Sequence, residues 1–209
     1  MEATILNIQG KATSKKVNLA DDIYGIDPND HAIYLDVKQF LANQRQGTSK
    51  TKQRAEVNYS TRKLKRQKGT GGARAGSIKS GVFKQGGNIH GPMPRNYEFK
   101  LNKKLKRLAR KSALTYKAKE NAITVLEDFS FEKPKTKEFV SILKNLKADT
   151  KKTLFIVPEH NDHVYRSSRN LQKSKVTTAE AVNTYDILNA GQVIILEGSV
   201  KKLETVLNK

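Results

Sequence analysis

Apolar positions recur with short periods near both ends of the chain and lose all period in between. Residues 3–8 alternate as a short strand, Gln9-Gly10 reads as a turn, and residues 16–19 form a second strand able to pair back. Asp27-Pro28-Asn29-Asp30 is a turn that can cap the next helix. There Ile33, Val37, Phe40 and Leu41 fall at i, i+4, i+7 and i+8, one apolar stripe. The stripe fades by Arg45, and Gly47 is a natural stop. Helical order resumes after Asn102, a plausible cap, with Leu105, Leu108, Ala109, Ser112 and Tyr116 on one face.

Beyond Ala122 short apolar runs alternate with amphipathic ones. Strands are expected at 123–126, 154–157, 176–179 and 193–196. Helices are expected at 136–146, with Phe139, Ile142, Leu143 and Leu146 on one side, at 163–171, and as a turn at 185–188. A last helix carries Val200, Leu203 and Leu207, with Ser199 as its cap. Such alternation predicts an α/β, three-layer body with a mostly parallel sheet of about four strands. Residues 1–47 and 98–209 would form this body, and residues 48–97 an extended loop inserted in it. No internal repeat is visible. A stretch of about 50 residues without period is too long for an ordinary connection and marks a functional segment.

Charge sharpens the division. Of 40 Lys+Arg and 20 Asp+Glu, 20 basic residues but only two acids, Glu56 and Glu98, lie between Leu41 and Lys111. Elsewhere 20 basic residues face 18 acidic ones, so nearly all of the +20 net charge sits in one third of the chain. Charge segregated in this way predicts a folded body carrying an arm for a polyanion. An anionic membrane is the poorer partner, because the arm lacks an amphipathic period and large apolar side chains to insert. No apolar run approaches the roughly 18 residues needed to span a bilayer. The N-terminus shows no basic stretch followed by an apolar run, so no secretory signal is expected. The chain has no cysteine, which removes disulfides, thiolate metal sites and cysteine nucleophiles and fits a cytoplasmic setting.

Catalytic readings fail residue by residue. Gly71 and Gly76 have the spacing of a phosphate loop, but Ser77 follows where lysine is needed. Gly69-Thr70-Gly71 opens a dinucleotide fingerprint that then meets Arg74 in place of glycine. Neither follows an expected strand. The arm's two acids are far apart, which disfavours metal-dependent phosphoryl chemistry. Glu159, His160, Asp162 and His163 can be drawn as a metal cluster, but a polar turn entering a helix explains them better. No G-x-S-x-G elbow is present. No cofactor, metal or small-molecule substrate is expected.

Binding chemistry remains. The candidate phosphate contacts along the arm are Arg45, Lys50, Lys52, Arg54, Arg62, Lys63, Lys65, Arg66, Lys68, Arg74, Lys79, Lys84 and Arg95. Lys103, Lys104, Arg107 and Arg110 continue this basic face onto the next helix. Gly69 and Gly71 would let the backbone approach a nucleic acid closely. Tyr59, Phe83, Tyr97 and Phe99 are spaced to stack on unpaired bases, although Tyr97 and Phe99, next to the helix, fit better as anchors of the arm's base. Composition alone leaves two binders open, a structural RNA protein and an architectural, chromatin-type DNA-binding protein.

Arg66-Gln67-Lys68-Gly69-Thr70-Gly71, then Ala73-Arg74 and Gly76-Ser77-Ile78-Lys79-Ser80, resembles universal ribosomal protein four of the bacterial large subunit, the uL4 family. The resemblance extends to Arg45-Gln46-Gly47-Thr48, Lys52, Arg54-Ala55-Glu56-Val57, Asn102-Lys103-Lys104, Lys133-Pro134-Lys135-Thr136-Lys137 and Arg169-Asn170-Leu171, in order along nearly the whole chain. Leu64-Lys65 and Gly72 stand where bacterial members usually carry Pro-Trp and arginine. The resemblance implies a non-catalytic constituent of the large subunit that binds ribosomal RNA and supports early assembly. Its body would lie on the outer face, next to neighbouring large-subunit proteins. Its loop tip, Lys65, Arg66, Gln67, Lys68, Gly69 and Thr70, would line the nascent-peptide exit tunnel and meet the nascent peptide.

Overall fold

The computed structural model describes residues 1–208, which fold as two compact units: Met1–Leu41 with the chain from Lys100 onward, and Ala42–Phe99. In the first unit β1 (Glu2–Leu6) turns back into β2 (Ala12–Asn18), and the short helix α1 (Asp21–Tyr24) leads to α2 (Asp30–Asn43). After the second unit the chain continues as α3 (Lys103–Lys119), β3 (Ile123–Leu126), α4 (Thr136–Asn145), β4 (Thr153–Val157) and α5 (Asp162–Ser168). It closes with β5 (Ser174–Thr178), α6 (Thr184–Asn189), β6 (Gln192–Leu196) and α7 (Glu197–Asn208).

The strands form a single sheet in the order β2-β1-β3-β6-β4-β5, parallel throughout except for β2. Six strands replace the four expected. The N-terminal hairpin joins the sheet because β1 pairs in parallel with β3, Ile5 opposite Val125 and Leu6 opposite Leu126. The exposed, lysine-bearing β2 then becomes a protected edge. Central β4 and β6 are buried along nearly their whole length, as a strand covered on both faces must be.

Their side chains divide between two cores by simple alternation. Leu154, Ile156, Val193 and Ile195 pack with Ile23, Leu114, Ile187, Val200 and Leu203 from α1, α3, α6 and α7. Phe155, Val157, Ile194 and Leu196 pack with Phe139, Ile142, Leu143 and Val164 from α4 and α5.

Three local expectations change. In α2 the buried positions are Ala32, Asp36 and Gln39, while Ile33, Val37 and Phe40 are only half-buried and Leu41 is exposed. Thr184 donates to the Asp36 carboxylate at 2.5 Å, so a buried hydroxyl and a small residue set the rotation of the helix in place of its apolar stripe. In α3 Leu108 is exposed, and the C-terminal half is buried nearly all round through Ser112, Ala113, Leu114 and Thr115. Ser199 does not cap α7. That helix starts directly from β6, and the Ser199 hydroxyl lies inside, donating to the Ile156 carbonyl at 2.8 Å.

Candidate nucleic-acid interface

Between α2 and α3 the second unit has no helix or strand, in keeping with its lack of period. A sparse ladder of main-chain hydrogen bonds folds it back on itself. Arg95 N–H donates to Gly47 O, Thr51 to Pro92, Asn88 to Lys52, Gly87 to Lys79 and Leu64 to Gly76, at 2.9–3.1 Å. An isolated bridge joins Lys63 and Ser77. Gly87–Lys79 closes a turn within one limb, and the other bonds join opposite limbs without an apolar core.

At one end the Tyr97 ring carries two cations. The guanidinium carbon of Arg45 lies 3.7 Å from its centroid and that of Arg95 4.5 Å. A hydrogen bond from Arg95, reinforced by both positive charges, holds the Tyr97 phenol below its ordinary range. Stacking fixes the planar Arg45 group and leaves its edge N–H donors turned to neighbours such as phosphate oxygens. Arg95 stands two residues before Tyr97, but no spacing in the sequence brings Arg45 to the ring, so this role goes beyond the anchoring expected of Tyr97.

Glu56 closes a turn at residues 53–57 by accepting from Gln53 N–H at 3.2 Å, and it takes an ion pair from Lys50. The Lys50 hydrogen bond is the chief reason the Glu56 carboxyl is held below the usual carboxylate range. Lys50 is therefore engaged within the protein, and Lys63 likewise donates to Gln67. Among the described residues, no other cation of the candidate set has a carboxylate partner. Lys52, Arg54, Arg62, Lys65, Arg66, Lys68, Arg74 and Lys84 are exposed, and Lys79 is half-buried. Lys52 and Lys84 line one cleft. The tip, residues 65–70, is exposed throughout, with Gly69 and Gly71 at φ +82° and +65°, where glycine is favoured. In the first unit Lys103 and Lys104 are exposed on α3, and Arg107 and Arg110 are half-buried.

The carboxyl ends of the parallel strands, where α/β enzymes place their sites, are occupied by the protein's own side chains. The Asp128 carboxylate accepts from Gly198 N–H at 3.1 and 3.2 Å, covering the amide at the start of α7. A Cβ on Gly198 would lie 2.9 Å from that carboxylate. Glu159 pairs with Lys202 at 2.7 Å, and Asp162 pairs with His160 at 2.8 Å and Arg166 at 3.3 Å. Among the described residues no group of His, Asp and Glu converges to hold a metal ion. No helix of the described residues is long and apolar enough to cross a membrane.

Residues 17–206 match the Ribosomal protein L4/L1 family. The chain is 60% identical over 208 residues to the large ribosomal subunit protein uL4 of Cytophaga hutchinsonii, covering 100% of both chains. To the protein of that name from Parabacteroides distasonis it is 62% identical over 204 residues, 98% of each. To that of Flavobacterium johnsoniae it is 58% identical over 209 residues, again 100% of both.

Proposed function

The chain belongs to the ribosomal protein L4/L1 family, and we propose that its loop unit anchors it in ribosomal RNA early in subunit assembly and lines the nascent-peptide exit tunnel with residues 65–70. Membership makes it a structural, non-enzymatic protein of the large ribosomal subunit, acting in the cytoplasm as part of the translating ribonucleoprotein. Ribosomal RNA and neighbouring ribosomal proteins follow as its partners.

The observation that carries the RNA reading is the row of exposed loop cations without carboxylate partners beside the Arg45–Tyr97–Arg95 stack. Unpaired lysines and arginines in such density repel one another unless phosphates neutralise them. Length supports the tunnel reading. The 54 residues from Thr48 to Leu101 give each limb about 27, a fully extended reach of at most roughly 90 Å. A body of about 150 residues has a radius of gyration near 15 Å. Clamping RNA at the body's own surface needs far less chain.

Charge reversal at the two ends of the loop tests both parts. Arg45→Glu and Arg54→Glu should impair assembly of large subunits, read by sedimentation. Lys65→Glu and Lys68→Glu should leave assembly largely intact and change crosslinking of the tip to nascent chains. Tip variants that lose assembly without altering nascent-chain crosslinking would remove the tunnel role and leave RNA anchoring alone.

A further inference from the structure

One concavity in the loop unit has the chemistry of a base rather than of a phosphate. It encloses about 890 Å³ between the limb carrying Lys52 and Tyr59 and the turn carrying Phe83 and Lys84. Tyr59 and Phe83 both line it and remain 43% and 36% exposed. Val57, the buried apolar residue of this unit, contributes to the same lining. The side-chain amides of Asn58 and Asn88 are there as well, and no carboxylate is.

The backbone builds this shape. A Cβ on Gly86 would lie 1.7 Å from the Ser80 carbonyl oxygen, and one on Gly87 2.3 Å from the Arg54 nitrogen. Only glycine lets the turn close this tightly against the opposite limb. The resulting cleft exposes aromatic surface that a solitary protein gains nothing by leaving in water.

A phosphate would use the donors of Lys52 and Lys84 but leave Val57 and the two rings without a partner. A nucleobase fits each group present. Its π-face stacks on an aromatic ring whatever its sequence, its polar edge meets carboxamides that both donate and accept, and its flanking phosphates reach lysines at the cleft. We propose that this cleft receives an unpaired, extruded base of the ribosomal RNA, with Tyr59 and Phe83 as the stacking faces and Lys52 and Lys84 on the adjoining phosphates. The inference rests on the RNA-anchoring role proposed above and adds a non-electrostatic contact to it.

Stacking and charge separate in a salt titration. Charge contacts set the slope of log affinity against log salt, and the loss of a neutral stacking contact lowers affinity by the same factor at every salt concentration. The probe is transcribed large-subunit ribosomal RNA, bound by the full chain across a salt series. Tyr59→Ala should weaken binding about tenfold with the slope unchanged, and Tyr59→Phe should retain it. Phe83→Leu, which preserves apolar packing, should weaken binding in the same slope-neutral way. Lys84→Gln should reduce the slope by about one contact. The base cleft is overturned if Tyr59→Ala and Phe83→Leu bind like the unaltered chain, if Tyr59→Phe loses as much as Tyr59→Ala, or if Tyr59→Ala shifts the slope as Lys84→Gln does. Each of these leaves RNA anchoring standing. An unaltered chain whose binding ignores salt overturns the anchoring role and the cleft together.

Discussion

The two units of this protein are held together by different physics. In the body, β4 and β6 are buried along nearly their whole length, and two apolar cores lie against opposite faces of the sheet. Acidic residues there are often paired with basic ones, as in Lys175–Asp186 at 2.6 Å and Lys202–Glu159 at 2.7 Å. In the loop unit Val57 is the one buried apolar side chain among the described residues. Main-chain bonds, close glycine contacts and one stacked tyrosine take the place of a core. Apolar burial is the dominant favourable term in folding, and it is concentrated in the body. The loop unit concentrates a net charge of +11 in 58 residues, against +9 in the far larger body, and it has almost no apolar core to hold that charge together.

Removing the loop is the largest perturbation of that contrast. Gly47 and Arg95 are hydrogen-bonded at 3.1 Å, so a short linker can replace residues 48–97 without stretching the neck. About ten phosphate contacts make affinity fall some 10³–10⁵-fold between 50 and 200 mM salt. The deletion should abolish most of that dependence on ribosomal RNA while circular dichroism shows the body still folded. An undiminished salt slope would place the RNA site on the body and dissolve the division of labour.

A core substitution is the converse test. Phe155 is fully buried, with its ring 4.9 Å from that of Phe139. Phe155→Ala should cost about 3–5 kcal/mol of stability, read from the denaturant midpoint. A loss below about 1 kcal/mol would mean the sheet core is not what stabilises the body.

The smallest effect lies in a buried phenol. Burial, and to a lesser extent the Glu204 charge, push the Tyr24 hydroxyl far above its ordinary value. Among the described residues that hydroxyl has no hydrogen-bond partner. The folded state therefore keeps a proton that the unfolded state releases above about pH 10. The associated stability is full below that pH and declines as pH rises further. Tyr24→Phe should be neutral, or stabilising by up to about 1 kcal/mol, at pH 7 and should remove this alkaline decline. Chemical denaturation at pH 7 and pH 11 reads both, and an equal alkaline decline in Tyr24→Phe would assign it to another group.

The α/β class, the run of elements from β3 to α7 and the segregation of charge were legible from the chain alone. They rest on local properties: a strand such as residues 193–196 and the amphipathic stretch at 136–146 each declare themselves within a few residues. The basic, period-free stretch and its ordered motifs pointed to the ribosomal family, which the full-length matches show. Long-range contacts decided the rest. Sheet membership of the N-terminal hairpin depends on β1 meeting β3, more than a hundred residues away. The rotation of α2 depends on Thr184 reaching Asp36, and the start of α7 on Asp128 reaching Gly198. The Arg45–Tyr97–Arg95 stack and the cleft shared by Tyr59 and Phe83 join opposite limbs of the loop, which no period or spacing in the sequence brings together. Periodicity records what each residue does to its near neighbours, and only the folded chain shows which distant groups it must satisfy.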